Sequence, residues 1–269
     1  MTQKIHPTAI VSATAQIGDN VEIGPYSIIG DDVKIGEGTK IMSHVVIEGD
    51  TTIGKNNVIF PFAVIGTAPQ DLKFKGEKAK LVIGDNNKIR EHVTIHLGTQ
   101  DGAMVTTVGS NCLFMVGAHI AHDCIVGNNV ILANNATLAG HVEVGDYVVI
   151  GGLSAVHQFA RIGKGAMIGG MSGVENDVIP NGLVMGERAS LAGLNIVGMK
   201  RRGIAREDIH ALRNFFKQVF AKRDTNFSVR VEDFSKSFPN QTVQDVAAFV
   251  KSETARAFCQ PKENFNSEE

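Results

Sequence analysis

The chain has 269 residues, 43% of them hydrophobic and 20% charged, with 26 basic against 28 acidic side chains. That size and composition exclude a disordered chain and allow one large domain or two modest ones around a buried core. The net charge of −2 and pI of about 6.5 argue against a general nucleic-acid binder, and no apolar run approaches the roughly 20 residues needed to cross a bilayer.

The opening MTQKIHPTAI is too polar for a secretory leader. Three cysteines (Cys112, Cys124 and Cys259) form no CxxC pair, which fits reduced thiols and predicts a cytoplasmic protein. Glycine is abundant, 29 residues, while tryptophan is absent and tyrosine occurs twice. Many tight corners around a thin core would need such a composition.

From Ile5 every sixth residue is Ile or Val: Val11, Ile17, Ile23, Ile29, Ile35, Ile41, Ile47, Ile53, Ile59 and Ile65 follow in turn. The register returns at Ile83, Ile89 and Ile95, then runs from Val108 through Phe114 and Ile120 to Val174. A period of six suits neither a helix at 3.6 nor a flat strand at 2. It suits one short strand and one corner per hexad, with three sides closing a triangular coil of about eighteen residues that stacks about 4.8 Å from the next. The spacing therefore predicts a parallel β-helix of hexapeptide repeats over 1–188, left-handed as in the known form of this pattern. Two segments break the register, about 67–82 and about 99–107, and are expected to leave corners as external loops.

Periodicity stops at Pro180, and the pattern later turns helical. Arg206-Glu207-Asp208 opens a stretch with Ile209, Leu212, Phe215, Phe216, Val219 and Phe220 at 3/4 spacing; Gly203 precedes it. Thr242 is placed to cap a later helix, with Pro239 between the two. Residues 189–269 are expected to form a small helical domain shielding the last coil, ending in a frayed polar tail, Gln260–Glu269.

Chemistry concentrates in the second block of hexads. His122, Gly140 and Gln158 are eighteen residues apart and should stack on one corner of three successive coils; Asp123, His141 and Phe159 should form the adjoining column, with His119 and His157 nearby. An imidazole beside a carboxylate and below a glycine amide suits general-base catalysis with oxyanion stabilisation. Polar groups on a convex prism make a cleft only when another prism packs beside them, so a symmetric oligomer is expected. Three histidines around zinc, as in the γ-class carbonic anhydrases, is the alternative, although a His–Gly–Gln column supplies an unusual ligand set. A non-catalytic scaffold is the third reading.

The stretch AHIAHDCIVGNNVILANNATLAGHVEVGDYVVIGGLSAVHQFARIG (118–163) resembles the UDP-N-acetylglucosamine O-acyltransferase family, as do APQDLKFKGE (68–77), IREHVTIHLGT (89–99) and GLNIVGMKRRG (193–203). The resemblance spans nearly the whole chain. It implies a homotrimer with sites between subunits, transfer of an (R)-3-hydroxyacyl group from acyl carrier protein to the 3-hydroxyl of UDP-N-acetylglucosamine in lipid A biosynthesis, and no metal or redox cofactor. It assigns the base to His122, its orienting partner to Asp123 and the oxyanion amide to Gly140. Substrate contacts are implied at Gln70, Asp71, Lys73, His119, His141, His157, Gln158, Asn195, Arg201 and Arg202, and an acyl-length gauge at Gly170. Cations at Arg206, Arg213 and Lys217 could meet the acidic carrier protein. The chain departs from the family pattern at Leu97, at Val197 and over 186–189, which bears on nucleotide contacts and on hydroxyl versus amine at the sugar 3-position. An N-acyltransferase of the same pathway would need a further domain before the prism.

Overall fold

The computed structural model describes residues 4–221 and 225–262. Among them, two- to five-residue strands stack into three sheets that form the faces of a triangular prism. The first face has eleven strands, from Lys4–Ile5 to Ser190–Leu194; the second has nine, from Ile10–Val11 to Gly173–Val174; the third has eight, from Gln16–Ile17 to Arg161–Ile162. Up to Gly173–Val174, consecutive strands lie on successive faces, and each pairs in parallel with the strand one coil away, as Ile5 does with Ile23 and Leu132 with Ile150. Eighteen residues thus make one turn, as the hexad count predicted.

The lead residues point inward and build the core: Ile29, Ile47, Ile59, Ile95, Ile120 and Leu138 are at most 1% exposed. At the first coil no described residue lies beneath, so Ile5 is 40% exposed although it occupies the same hexad position. Each such aliphatic side chain contributes about 1.5–3 kcal/mol on full burial.

Two coils are longer, because Ile59 pairs with Ile89 and Ile89 with Phe114. The loops lie between Thr67 and Lys80 and between His96 and Val105, not at about 67–82 and 99–107. The reason is local: Asp50–Ile53, Lys80–Ile83 and Val105–Val108 pair as four-residue strands with alternating burial, a length that the hexad count does not reveal. Leu97, at the start of the second loop, is buried.

After the last parallel strand, Gly182–Met185, the chain reverses into antiparallel Ser190–Leu194, so the residues beyond 188 begin with a strand. Four helices follow among the described residues: α1 (Ile196–Arg201), α2 (Arg206–Ala221), α3 (Phe227–Ser235) and α4 (Gln241–Lys251). Gly203, at φ +73°, takes the left-handed turn that stops α1. Thr242 is not the cap of α4. Asn240 holds that position without a side-chain cap bond, and the Thr242 hydroxyl donates instead to the Asp208 carbonyl at 3.2 Å, because its buried side chain packs against the start of α2.

The expected tail is also corrected at its start. The Asp177 N–H donates to the Ala257 carbonyl at 2.8 Å, Cys259 N–H to the Asp177 carbonyl at 2.8 Å, and Leu191 N–H to the Gln260 carbonyl at 3.0 Å. Residues 257–260 therefore return to the last coil as added backbone pairing, and Pro261 is buried. Residues 263–269 of the expected tail lie outside the described residues. Arg161, paired with buried Asp177 at 2.7 Å, donates to Ser252 Oγ at 2.6 Å and ties the segment after α4 to the prism.

Candidate active site

The corner between the second and third faces carries the histidine column. Asp123, His141 and Phe159 occupy its left-handed positions, at φ +57°, +60° and +64°. Backbone bonds stack the coils there: His141 N–H donates to the His122 carbonyl at 3.0 Å and Phe159 N–H to the Gly140 carbonyl at 3.2 Å. His122, Gly140 and Gln158 thus lie above one another on successive coils.

His122 Nδ1 lies 2.9 Å from Asp123 Oδ2. A carboxylate only accepts, so Nδ1 carries the proton and Nε2 presents its lone pair. The Asp123 side chain is 1% exposed and that of His122 13%. The carboxylate also accepts from the Thr99 N–H, at 3.1 and 3.0 Å to its two oxygens, and from Thr99 Oγ1 at 2.6 Å. Its own N–H donates to Thr106 Oγ1 at 2.8 Å. A Cβ on residue 140 would stand 2.5 Å from His122 Cε1 and 2.6 Å from Nε2, so only glycine leaves room for the imidazole. Among the described residues nothing accepts from the Gly140 N–H.

The His141 ring meets that of His122 edge-on at 5.0 Å and stacks on Phe159 at 4.5 Å. Burial pushes the His141 imidazole down, with Asp123 pulling the other way. On the outer side of the second face, His119 Nδ1 lies 2.7 Å from Thr94 Oγ1 and its ring meets His96 edge-on at 5.0 Å. Burial, then the charge of His122, lowers His119. Burial, followed by the neighbouring His119 and His122, pushes His96 down to about 4. His96 Nδ1 has no hydrogen-bond partner among the described residues.

The two external loops meet beside this corner. Lys73 Nζ pairs with Asp101 Oδ2 at 2.9 Å, and Asp71 Oδ1 accepts from the Lys73 N–H at 2.9 Å. Asp71, Lys73, Lys75 and Glu77 from the first loop, with Thr99 and Asp101 from the second, line a groove of about 300 Å³. Exposed Gln70 lies next to Asp71 on that loop. At the other end of the column, Arg256 donates from Nε to the Gln158 carbonyl at 3.1 Å and from a terminal nitrogen to His157 Nδ1 at 2.6 Å.

Family models place the chain. Residues 177–259 match the second domain of UDP-N-acetylglucosamine O-acyltransferase; residues 14–49, 32–67 and 106–140 match the bacterial transferase hexapeptide repeat. The chain is 51% identical to the acyl-[acyl-carrier-protein]–UDP-N-acetylglucosamine O-acyltransferase of Bartonella henselae, over 96% of this chain and 94% of that protein. Among solved structures, UDP-N-acetylglucosamine acyltransferase from Campylobacter jejuni matches at a TM-score of 0.90 with 41% identity, covering 96% of this chain and 99% of that one. The Arabidopsis enzyme of that name matches at 0.81 with 36% identity, covering 95% and 100%.

The chain belongs to the UDP-N-acetylglucosamine O-acyltransferase family. It is an acyltransferase built on hexapeptide repeats, and its prism is the left-handed β-helix expected from the sequence. The zinc-hydrase alternative is not favoured by these relatives. The donor chemistry agrees: ligand atoms of His122, Asp123 and His141 lie within 4.8 Å of one another, yet both Asp123 oxygens already accept from Thr99 and one from His122.

Within one chain the remaining sequence-predicted residues stand elsewhere. Gly170 sits on the corner between the first and second faces, above Gly152, where a Cβ would find its nearest neighbour, the Gly152 carbonyl, at 3.4 Å. Asn195 and Arg202 gather at the third corner. Asn195 caps α1 by accepting from the Gly198 N–H at 2.9 Å and donates to the Gly165 carbonyl at 2.9 Å; Arg202 donates to that same carbonyl and to Asn181 Oδ1. Both side chains therefore already serve the fold. Arg201, in the last turn of α1, and Val197 are exposed. Sequence reasoning missed Thr99, Asp101, His96 and Arg256 as parts of the site. A loop emerging one coil below Asp123 was the available signal for the first two; Thr99 and His96 both lie within the family-like stretch 89–99, and nothing in the sequence marks Arg256.

Proposed function

We propose that the chain transfers an (R)-3-hydroxyacyl group from acyl carrier protein to the 3-hydroxyl of UDP-N-acetylglucosamine, the step that opens lipid A biosynthesis, with His122 as general base. Its Nε2 takes the hydroxyl proton as the sugar oxygen attacks the thioester carbonyl. The Gly140 N–H donates to the oxyanion of the tetrahedral adduct. Collapse breaks the C–S bond, and the departing phosphopantetheine sulfur receives the proton from His122. Asp123 holds the tautomer and balances the imidazolium. The observation that carries this reading is the Asp123–His122–Gly140 stack, in which a buried carboxylate orients an imidazole directly against a glycine corner. The proposed step uses only the chain's own groups.

Asp71, Lys73 and Gln70 would hold the sugar nucleotide beside the base, with His119, His141, His157 and Gln158 touching sugar or acyl chain. Gly170, Asn195 and Arg202 lie on other corners and Arg201 in the last turn of α1, so they would serve a site that a neighbouring subunit completes. Supporting a homotrimer, the outward strand positions of the second face hold no Asp, Glu, Lys or Arg, as Ile10, Ile28, Val46, Val64, Thr137 and Ala155 illustrate, with the ionisable His119 among them. Such a largely uncharged surface suits packing against a second prism. The open corner at Gly170 suits a long acyl chain. The chain would work as a prism to about residue 188 with a second unit from 189, an antiparallel strand followed by helices, shielding its last coil, in the cytoplasm, where its three free, buried thiols stay reduced.

The test is incubation of the purified protein with UDP-N-acetylglucosamine and a panel of 3-hydroxyacyl carrier proteins, with product masses measured. Product with the sugar hydroxyl acylated is expected, together with loss of at least about a thousandfold in His122→Ala at unchanged oligomeric size. Gly170→Met should move preference toward shorter donors. Undiminished turnover in His122→Ala would overturn the assignment.

A further inference from the structure

The second external loop does more than border the groove. Thr99 is 2% exposed and presents both its N–H and its hydroxyl to the Asp123 carboxylate. The loop closes back on the same residue: the Thr99 carbonyl accepts from the N–H groups of Gly102 and Met104, at 3.1 and 3.2 Å. Gly102 lies against the carboxylate so closely that a Cβ there would overlap Asp123 Cγ. Two residues along from Thr99, Asp101 holds the Lys73 ammonium. One short loop thus grips the partner of the base and the groove beside it.

We propose that Thr99 is a positioning residue for the transfer reaction: through its hydroxyl it fixes the rotamer of the Asp123 carboxylate, and through that carboxylate the ring plane and tautomer of His122. The proposal rests on His122 being the base. A buried carboxylate needs hydrogen-bond donors to remain charged. The backbone N–H of Thr99 already supplies one, reaching both oxygens. The hydroxyl bond, at 2.6 Å to Oδ2, reaches the same oxygen that accepts from His122 Nδ1. It therefore sets where that oxygen stands relative to the imidazole, which charge satisfaction alone does not require.

Thr99→Val keeps the shape and the backbone donor and removes only the hydroxyl. The expected result is a fall in kcat of about ten- to a hundredfold, the range for losing one hydrogen bond to a charged group, with KM for UDP-N-acetylglucosamine within about twofold. Thr99→Ser, which restores the hydroxyl, should recover most of the loss. In a His122→Ala background Thr99→Val should cost nothing further. Nitrogen NMR of the His122 ring supplies a readout that needs no turnover: the Nδ1–H signal hydrogen-bonded to carboxylate should weaken in the Val variant and return in the Ser variant. A Val variant with kcat and imidazole signal both at wild-type values overturns the proposal, as does a loss that Ser fails to recover. If wild-type protein transfers no acyl group, the functional reading fails, and the imidazole signal still decides the role of Thr99.

Discussion

Two corners of the same prism meet one geometric demand in opposite ways. At both of these corners most turns place a residue near φ +60°. Between the third and first faces that residue is most often asparagine (Asn20, Asn56, Asn86, Asn111, Asn129 and Asn181, at φ between 53° and 60°), with Gly38, Gly165 and Tyr147 at the other turns. Asparagine tolerates this region because its short amide bonds locally, whereas most L side chains meet a penalty of about 1–2 kcal/mol. Between the second and third faces the equivalent positions hold Asp123, His141 and Phe159. Histidine and phenylalanine gain nothing locally from that backbone. Stacked rings and interstrand bonds hold them there. The first corner is built for folding; the second accepts strain to hold an imidazole, a carboxylate and an aromatic ring on the surface of a rigid stack.

The sharpest way to break this contrast is at Gly140. Gly140→Ala places a methyl where the His122 ring stands, so the imidazole must leave its position. A loss of at least about a hundredfold in acyl transfer is expected with the melting temperature nearly preserved; near-normal turnover would show that the stack is not needed for chemistry.

A second test uses pH. His96, His119 and His141 have folded pKa values below the ordinary imidazole value, with burial as the first cause and His96 down at about 4. The unfolded chain therefore binds more protons between about pH 6.5 and 4, so stability is intact above that window and falls as the pH drops through it. His96 should contribute on the order of 3 kcal/mol of the loss. Urea titrations at stepped pH should show a flatter dependence in His96→Asn; an unchanged slope would place the effect elsewhere.

The smallest effects sharpen the comparison most directly. His141→Asn should stabilise the protein by about 0.5–1 kcal/mol while lowering activity, and Asn129→Ala should destabilise it by about 1 kcal/mol with activity retained. Equal and opposite shifts in urea midpoints, at unchanged slope, would bear the contrast out; a destabilised His141→Asn would show that ring stacking outweighs backbone strain.

Much of this was legible in the chain. Side chains repeating at six cannot be buried by a helix or a flat sheet, so the prism, its coil length and the stacking of His122, Gly140 and Gln158 follow from counting. What escaped depends on partners far away in sequence. Thr99 matters because a loop of irregular length folds under Asp123; Arg256 matters because the segment after α4 returns across the prism to His157; Gln260 pairs with Leu191 although its surroundings read as a polar tail.

The amino-acid sequence by itself determined the repeat, the inward-facing aliphatic ladder, the helical character of α2 and the presence of a base, a carboxylate and a glycine on adjoining columns, because each is a periodic or short-range property. Tertiary structure alone decided the loop boundaries, the hydrogen bonds that fill the Asp123 carboxylate, the internal use of Asn195 and Arg202, and the separation of Gly170 and the third-corner cluster from His122 within one chain. Those depend on which surfaces meet in space, and spacing along a chain does not encode where an irregular loop or a returning terminus comes to rest.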